Sequence, residues 1–120
     1  MEFKASIVIP CFNEEQNLPL LIKRCQEIYK KNKSFEFIFV NNGSSDKSEQ
    51  LLNKVTYKYI KVINLKNNLG YGGGIIEGLK IAENKIVGWT HADLQTNPED
   101  LIKGLTLFEK NKDKLIFVKG

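Results

Sequence analysis

Ala5-Ser6-Ile7-Val8-Ile9-Pro10-Cys11-Phe12-Asn13-Glu14-Glu15-Gln16-Asn17-Leu18-Pro19-Leu20-Leu21-Ile22 is the stretch that decides the fold. Residues 4–10 hold the apolar run Ile7-Val8-Ile9, stop at Pro10, and read as a short buried strand. From Leu18 the period changes. Leu18, Leu21, Ile22, Cys25, Ile28 and Tyr29 fall on one face of a 3.6-residue helix. Asn17 stands where a helix N-cap belongs, and Pro19 stands in the first turn, where a missing N–H costs little. Strand, polar loop and amphipathic helix make the first half of a βαβ unit.

The alternation continues along the chain. Residues 35–40 read as a second buried strand, after which Ser44 or Ser45 caps a short helix holding Leu51, Leu52 and Val55. Residues 59–65 read as a third strand. A helix opening at Gly72 then puts Ile75, Ile76, Leu79 and Ala82 on one face. Residues 85–90 read as a fourth strand. Asn97-Pro98-Glu99-Asp100 supplies a cap, a proline and two acids at the positive end of a further helix, which carries Leu101, Leu105 and Phe108. Residues 114–118 read as a fifth strand. Strands alternating with helices imply right-handed crossovers and an α/β domain with a parallel sheet.

Composition agrees. The chain has 120 residues, 42% apolar and 27% charged, as in an ordinary globular domain. A chain of this length buries about 65% of its unfolded surface, enough for one core. No apolar run nears the roughly 20 residues of a membrane-spanning helix, and the start is expected to carry no secretory signal. The net charge is +4, from 18 cations against 14 anions, but Arg24 is the one arginine and the lysines are scattered. Nucleic-acid binding is therefore not expected, because base and phosphate readout favours clustered arginine. Cys11 and Cys25 match no metal-ligand spacing and are read as reduced thiols of a cytoplasmic protein.

In a parallel α/β sheet, ligands bind beyond the carboxyl ends of the strands. Four loops lie there: 11–17, 41–46, 66–74 and 91–97. In the third, Gly70, Gly72, Gly73 and Gly74 let backbone approach a sugar or diphosphate at a helix start. The spacing is neither a Walker loop nor the dinucleotide fingerprint, for Ile75 stands where a third glycine would be. In the fourth, His91, Asp93 and Gln95 alternate, so an imidazole, a carboxylate and an amide oxygen can share one side and bind a divalent cation. In the second, Asn41 and Asn42 are placed to read a base edge, although Asn-Gly-Ser-Ser-Asp also suits a turn. The first offers the aromatic Phe12 and the acid Glu14.

Ile9-Pro10-Cys11-Phe12-Asn13-Glu14-Glu15-Gln16-Asn17-Leu18, Val40-Asn41-Asn42-Gly43-Ser44-Ser45-Asp46, Asn68-Leu69-Gly70-Tyr71-Gly72-Gly73-Gly74 and Ala92-Asp93-Leu94-Gln95-Thr96-Asn97-Pro98 occur in this order. Together they resemble the family 2 glycosyltransferases of GT-A fold, nearest to the dolichyl- and polyprenyl-phosphate sugar synthases. The resemblance implies a Rossmann-like three-layer α/β/α domain over residues 1–120, with a mainly parallel five-stranded sheet, incomplete relative to the family. It implies inverting transfer from a nucleotide-diphosphate sugar, in cell-envelope glycan or glycolipid synthesis, with a lipid phosphate as the candidate acceptor.

By the same resemblance Pro10, Phe12 and Glu14 contact the nucleoside, Asn42 faces the base, and Asn41 belongs to the same nucleotide-sugar site. Gly70, Gly72, Gly73, Ala92 and Asp93 complete the donor site. His91, Asp93 and Gln95 hold a Mn²⁺ or Mg²⁺ that neutralises charge on the departing diphosphate. Three departures stand out. Asn41-Asn42 replaces the usual two carboxylates. His91 replaces an acid, which weakens Mg²⁺ and relatively favours Mn²⁺. The general base, acceptor region and any membrane anchor are expected beyond Gly120, so no residue of the chain is assigned catalysis and the chain alone is expected not to transfer sugar. The resemblance implies work in the cytoplasm or at the cytoplasmic face of a membrane. The rival readings are a nucleotidyltransferase, which lacks here its basic glycine-rich stretch after the first strand, and a non-catalytic nucleotide-sugar-binding module.

Overall fold

The computed structural model describes residues 5–82, together with the strand backbone of 86–90 and 116–119. In chain order the elements are β1 (Ala5–Cys11), α1 (Leu18–Lys31), β2 (Phe35–Asn42), α2 (Ser48–Asn53), β3 (Ile60–Leu65), α3 (Gly70–Ile81), β4 (Ile86–Thr90) and β5 (Ile116–Lys119). The strands form one sheet in the order β3-β2-β1-β4-β5, and every neighbouring pair is parallel. This is the α/β architecture that the alternating periods predict.

β1 and β2 are buried along their whole length because both sheet faces are covered. On one face Ile7, Ile9 and Cys11 of β1 and Phe35, Phe37 and Phe39 of β2 pack against Leu18, Leu21, Cys25 and Ile28 of α1 and Leu52 of α2. Each fully buried phenylalanine contributes about 2 kcal/mol of hydrophobic stabilisation. On the other face Val8, Ile38 and Val40 meet Leu79 and Ala82. There α3 approaches through Gly78, where a Cβ would lie 2.4 Å from Val8 Cγ1 and 3.0 Å from Val40 Cγ2.

The chain winds outward from β1 through β2 to β3 and then returns to lay β4 on the other side of β1. The winding direction reverses there, and Val8 pairs with Trp89, so β4 ends beside the carboxyl end of β1. Such a reversal is where open α/β sheets bind ligands.

Local details differ from the sequence reading. α3 begins at Gly70 rather than Gly72, and Ile76 is exposed, because Gly74, Ile75 and Gly78 face the sheet. α2 begins at Ser48, and neither Ser44 nor Ser45 caps it. Asn17 occupies the N-cap of α1 without a side-chain capping bond, since its amide donates to Glu14 Oε2 instead, at 2.9 Å. Val55 lies past the end of α2 yet packs on the core. The helix read from Asn97 lies outside the described residues. Cys11 and Cys25 are free and buried, and burial pushes both thiols well above the ordinary cysteine range. Among the described residues no helix is long and apolar enough to cross a membrane.

Candidate functional site

The loops after β1, β2 and β3 are tied into one rim by hydrogen bonds between residues 27 to 34 positions apart. From the first loop, Asn13 N–H donates to Ser44 Oγ at 3.0 Å, Glu14 N–H to Ser48 Oγ at 3.0 Å, and Glu15 N–H to Asp46 Oδ2 at 3.1 Å. Asn13 Oδ1 accepts from Ser45 N–H at 2.9 Å, and Asn13 itself sits at φ +52°. Asparagine tolerates that left-handed conformation better than most residues. Held this way, the first loop leaves Phe12 48% exposed at the rim, so its ring is not core packing.

Asn41 and Asn42 end β2 and are both buried. Alternation sends them to opposite sheet faces. Asn41 Nδ2 donates to Asn64 Oδ1 at 3.0 Å, and its Oδ1 accepts from Ser44 N–H at 3.3 Å. Asn42 turns toward the glycine loop. Its Oδ1 accepts from Leu69 N–H at 2.9 Å and its Nδ2 donates to the Gly70 carbonyl at 2.8 Å.

The glycines divide by what a side chain would meet. Gly70 takes φ +80°, which turns the chain into α3. A Cβ on Gly73 would lie 2.7 Å from Leu69 Cβ, and one on Gly74 would lie 2.9 Å from Asn42 Nδ2 and 3.6 Å from Pro10 Cβ. Those two are packing positions. Gly72 is different: its φ is not positive and, among the described residues, a Cβ there would meet nothing within 4 Å. A helical glycine costs about 1 kcal/mol against alanine. Gly72 recovers none of that by packing among the described residues, as expected where something else approaches the backbone.

The structure thus brings Pro10, Phe12, Glu14, Asn41, Asn42, Gly70, Gly72 and Gly73 to one end of the sheet. His91, Ala92, Asp93 and Gln95 lie outside the described residues. Among the described residues no group of three or more His, Cys, Asp or Glu side chains can hold a metal ion.

The sequence reading placed Asn13, Ser44 and Asp46 in the candidate loops without a role in joining them, and it missed Ser48. The signal was ambiguous, because Asn-Gly-Ser-Ser-Asp serves a turn equally well.

Asp46 gives the rim a pH signature. Burial raises its carboxyl, but hydrogen bonds from the Ser48 side chain and backbone and from Glu15 N–H outweigh that and hold it below its ordinary range. A lowered folded pKa contributes stability that is full above the unfolded value and lost as pH falls through the folded one. Asp46→Asn should therefore lower the thermal midpoint at pH 7, with the gap to wild type closing below about pH 4. A gap that stays constant from pH 7 to 3 would rule out this origin.

The glycine turn, the buried asparagines and the exposed aromatic all lie at the carboxyl ends of a 3-2-1-4-5 sheet. The family model described as Glycosyl transferase family 2 matches residues 6–119. The chain belongs to glycosyltransferase family 2. Among relatives of this family, an undecaprenyl-phosphate 4-deoxy-4-formamido-L-arabinose transferase of Pectobacterium carotovorum is 39% identical over 103 residues, covering 80% of this chain and 31% of that protein. The protein of the same name from Pseudomonas fluorescens is 35% identical, covering 96% of this chain and 35% of its own length. The chain spans about a third of the length of these curated relatives.

The fold is that of the GT-A glycosyltransferases. S. aureus TarS 1-349, solved in complex with UDP-GlcNAc, superposes with a TM-score of 0.78 at 26% identity, over 92% of this chain and 32% of TarS. The mannosyltransferase PcManGT of Pyrobaculum calidifontis, solved with GDP-Man and Mn²⁺, shares the fold with a TM-score of 0.68 at 18% identity.

Proposed function

We propose that this chain is the donor-binding part of an inverting glycosyltransferase that moves a sugar from a nucleotide diphosphate to a polyprenyl phosphate. One observation carries the reading: the rim at the carboxyl ends of β1, β2 and β3 exposes the Phe12 ring and also holds the start of α3, where Gly72 is exposed. An aromatic ring suits a nucleobase, and a helix start suits a diphosphate. The relatives named as undecaprenyl-phosphate transferases and the TarS complex with UDP-GlcNAc support the same reading.

The chemistry is economical in parts. An acceptor phosphate oxygen attacks the anomeric carbon, the bond from that carbon to the diphosphate oxygen breaks, and the nucleoside diphosphate leaves. A phosphate monoester is already anionic near neutral pH. Such an acceptor asks less of the general base expected beyond Gly120 than a hydroxyl acceptor would. Nucleotide sugars are made in the cytoplasm and a polyprenyl phosphate resides in a membrane, so the reading puts the work at the cytoplasmic face.

The donor set His91, Asp93 and Gln95 suits a divalent cation of borderline character, with Mn²⁺ favoured over Mg²⁺ because one ligand is an imidazole. Asp93 is the residue that brings formal charge to that set. When bound, the metal supplies charge neutralisation on the departing diphosphate. Pro10, Phe12, Glu14 and Asn41 hold the nucleoside side and Gly70, Gly72, Gly73 and Ala92 the diphosphate and sugar side; Asn42 lies between the two, bonded to Leu69 and Gly70.

Calorimetry with UDP- and GDP-sugars, with and without Mn²⁺, tests this. One base class should bind in preference to ATP. Asp93→Ala should weaken binding by at least about tenfold in Mn²⁺, since even an outer-shell partner of a metal is worth that much. Equal binding of ATP, together with no loss in Asp93→Ala, would overturn the assignment.

A further inference from the structure

We infer that Asn42 is a positioning residue that acts on the diphosphate half of the donor by clamping the glycine loop, and that its amide does not read the base. The inference rests on the donor-binding reading above and deepens it. The geometry is two-sided. Asn42 Oδ1 accepts from Leu69 N–H at 2.9 Å while Nδ2 donates to the Gly70 carbonyl at 2.8 Å, so one side chain mimics a backbone segment and pins the N-cap of α3, Leu69, together with its first residue, Gly70. The residue is 4% exposed. It is also enclosed from the helix side, for a Cβ on Gly74 would lie 2.9 Å from Nδ2.

The chemistry of the side chain follows from this. The clamp needs one acceptor and one donor, which an amide provides and an ionised carboxylate does not. A carboxylate at 42 would keep the bond from Leu69 N–H but set a negative oxygen against the Gly70 carbonyl. Asparagine at this position is thus matched to the loop it holds. Because Gly70 and Gly72 belong to that loop, movement of Leu69 and Gly70 shifts the surface that would face a diphosphate. The base side of the rim is fixed by other bonds, from Asn13, Glu14 and Glu15 to the loop after β2.

The two roles predict opposite results for Asn42→Asp. A base-reading acceptor would be kept or improved by a carboxylate, and uridine and UDP would change together. A clamp is lost. The experiment measures UDP and uridine binding by ligand-observed NMR in Mn²⁺, with GDP and guanosine in parallel, and amide hydrogen exchange of the ligand-free chain.

Asn42→Asp should weaken UDP about tenfold, the effect of one lost buried hydrogen bond, while uridine is unchanged. Exchange should quicken at residues 69–74, with protection retained in β1 and α1. Wild-type exchange at 69–74, or an equal loss for uridine and UDP, overturns the inference. Gly74→Ala, which favours helix in itself but crowds the same amide, should move exchange and UDP affinity in the same direction, and it decides the matter if Asn42→Asp does not fold. If the wild type binds neither nucleotide, the donor-binding reading fails and with it the functional role of Asn42; the exchange result then shows separately whether the clamp exists.

Discussion

Gly43→Ala should destabilise the protein by about 3 kcal/mol, on the order of a hundredfold in the folding equilibrium. Two penalties coincide at this residue. Gly43 sits at φ +72°, where an L side chain is strained by about 1–2 kcal/mol. Its Cβ would also lie 2.6 Å from Asn68 N and 2.7 Å from Asn67 C. Those are backbone atoms, so no rotamer change relieves the overlap; the segment before the glycine loop must move. Gly70→Ala is the matched control. Gly70 has the same sign of φ, at +80°, but among the described residues a Cβ there meets nothing within 4 Å. It should cost the strain alone, about 1–2 kcal/mol. Urea unfolding of both variants separates contact from strain, and equal losses would show that the close approach of the two loops is not maintained in solution.

That contact explains why some of the site was legible in sequence and some was not. The periods of Leu18, Leu21, Cys25 and Ile28, and the unbroken apolar runs of β1 and β2, are local signals, and they place the first strands and α1 correctly. The rule that ligands gather at carboxyl strand ends then picks out, without any contact information, three loops that the structure ties into one rim. The bonds that organise those loops span 27 to 34 residues, and local rules do not see them. Ser44 therefore reads as a helix cap but is recruited by Asn13, and α2 starts later, where Asp46 Oδ1 accepts from Ser48 N–H at 2.9 Å. Ile76 reads as core because it is apolar and correctly spaced. Gly78, which carries no hydrophobic signal, takes α3 so close to Val8 and Val40 that the buried face turns toward Gly74, Ile75 and Gly78.

The ionic group inside β2 was equally hidden, since Phe35-Glu36-Phe37-Ile38-Phe39-Val40 reads as a buried strand whatever Glu36 does. Lys61→Met should cost about 3 kcal/mol, the low end for breaking a buried ion pair from one side. Glu36 is 1% exposed; its Oε2 accepts from Ser6 Oγ at 2.8 Å and its Oε1 pairs with Lys61 Nζ at 2.8 Å. Lys61 is 38% exposed along its side chain and so loses little solvation, whereas the carboxylate is deep. Removing the cation leaves that carboxylate to the Ser6 hydroxyl and its other neighbours in low dielectric. Removing the carboxylate with Glu36→Gln leaves the half-exposed lysine to water and its other neighbours, and should cost less. The double variant Glu36→Gln, Lys61→Met carries no buried charge and should recover most of the loss, giving a coupling energy above about 1 kcal/mol in a double-mutant cycle. A loss of only about 0.5 kcal/mol for Lys61→Met would mark an ordinary surface pair. The consequence for the site is register. Ser6 stands opposite Glu36, Cys11 opposite Asn41 and Leu65 opposite Asn42. Glu36 and Asn42 lie on the same face of β2, six residues apart. A one-residue slip of β2 would turn Glu36 into the phenylalanine layer and Asn42 away from Gly70 together. The buried pair at one end of the strand thus penalises the slip that would release the glycine loop at the other.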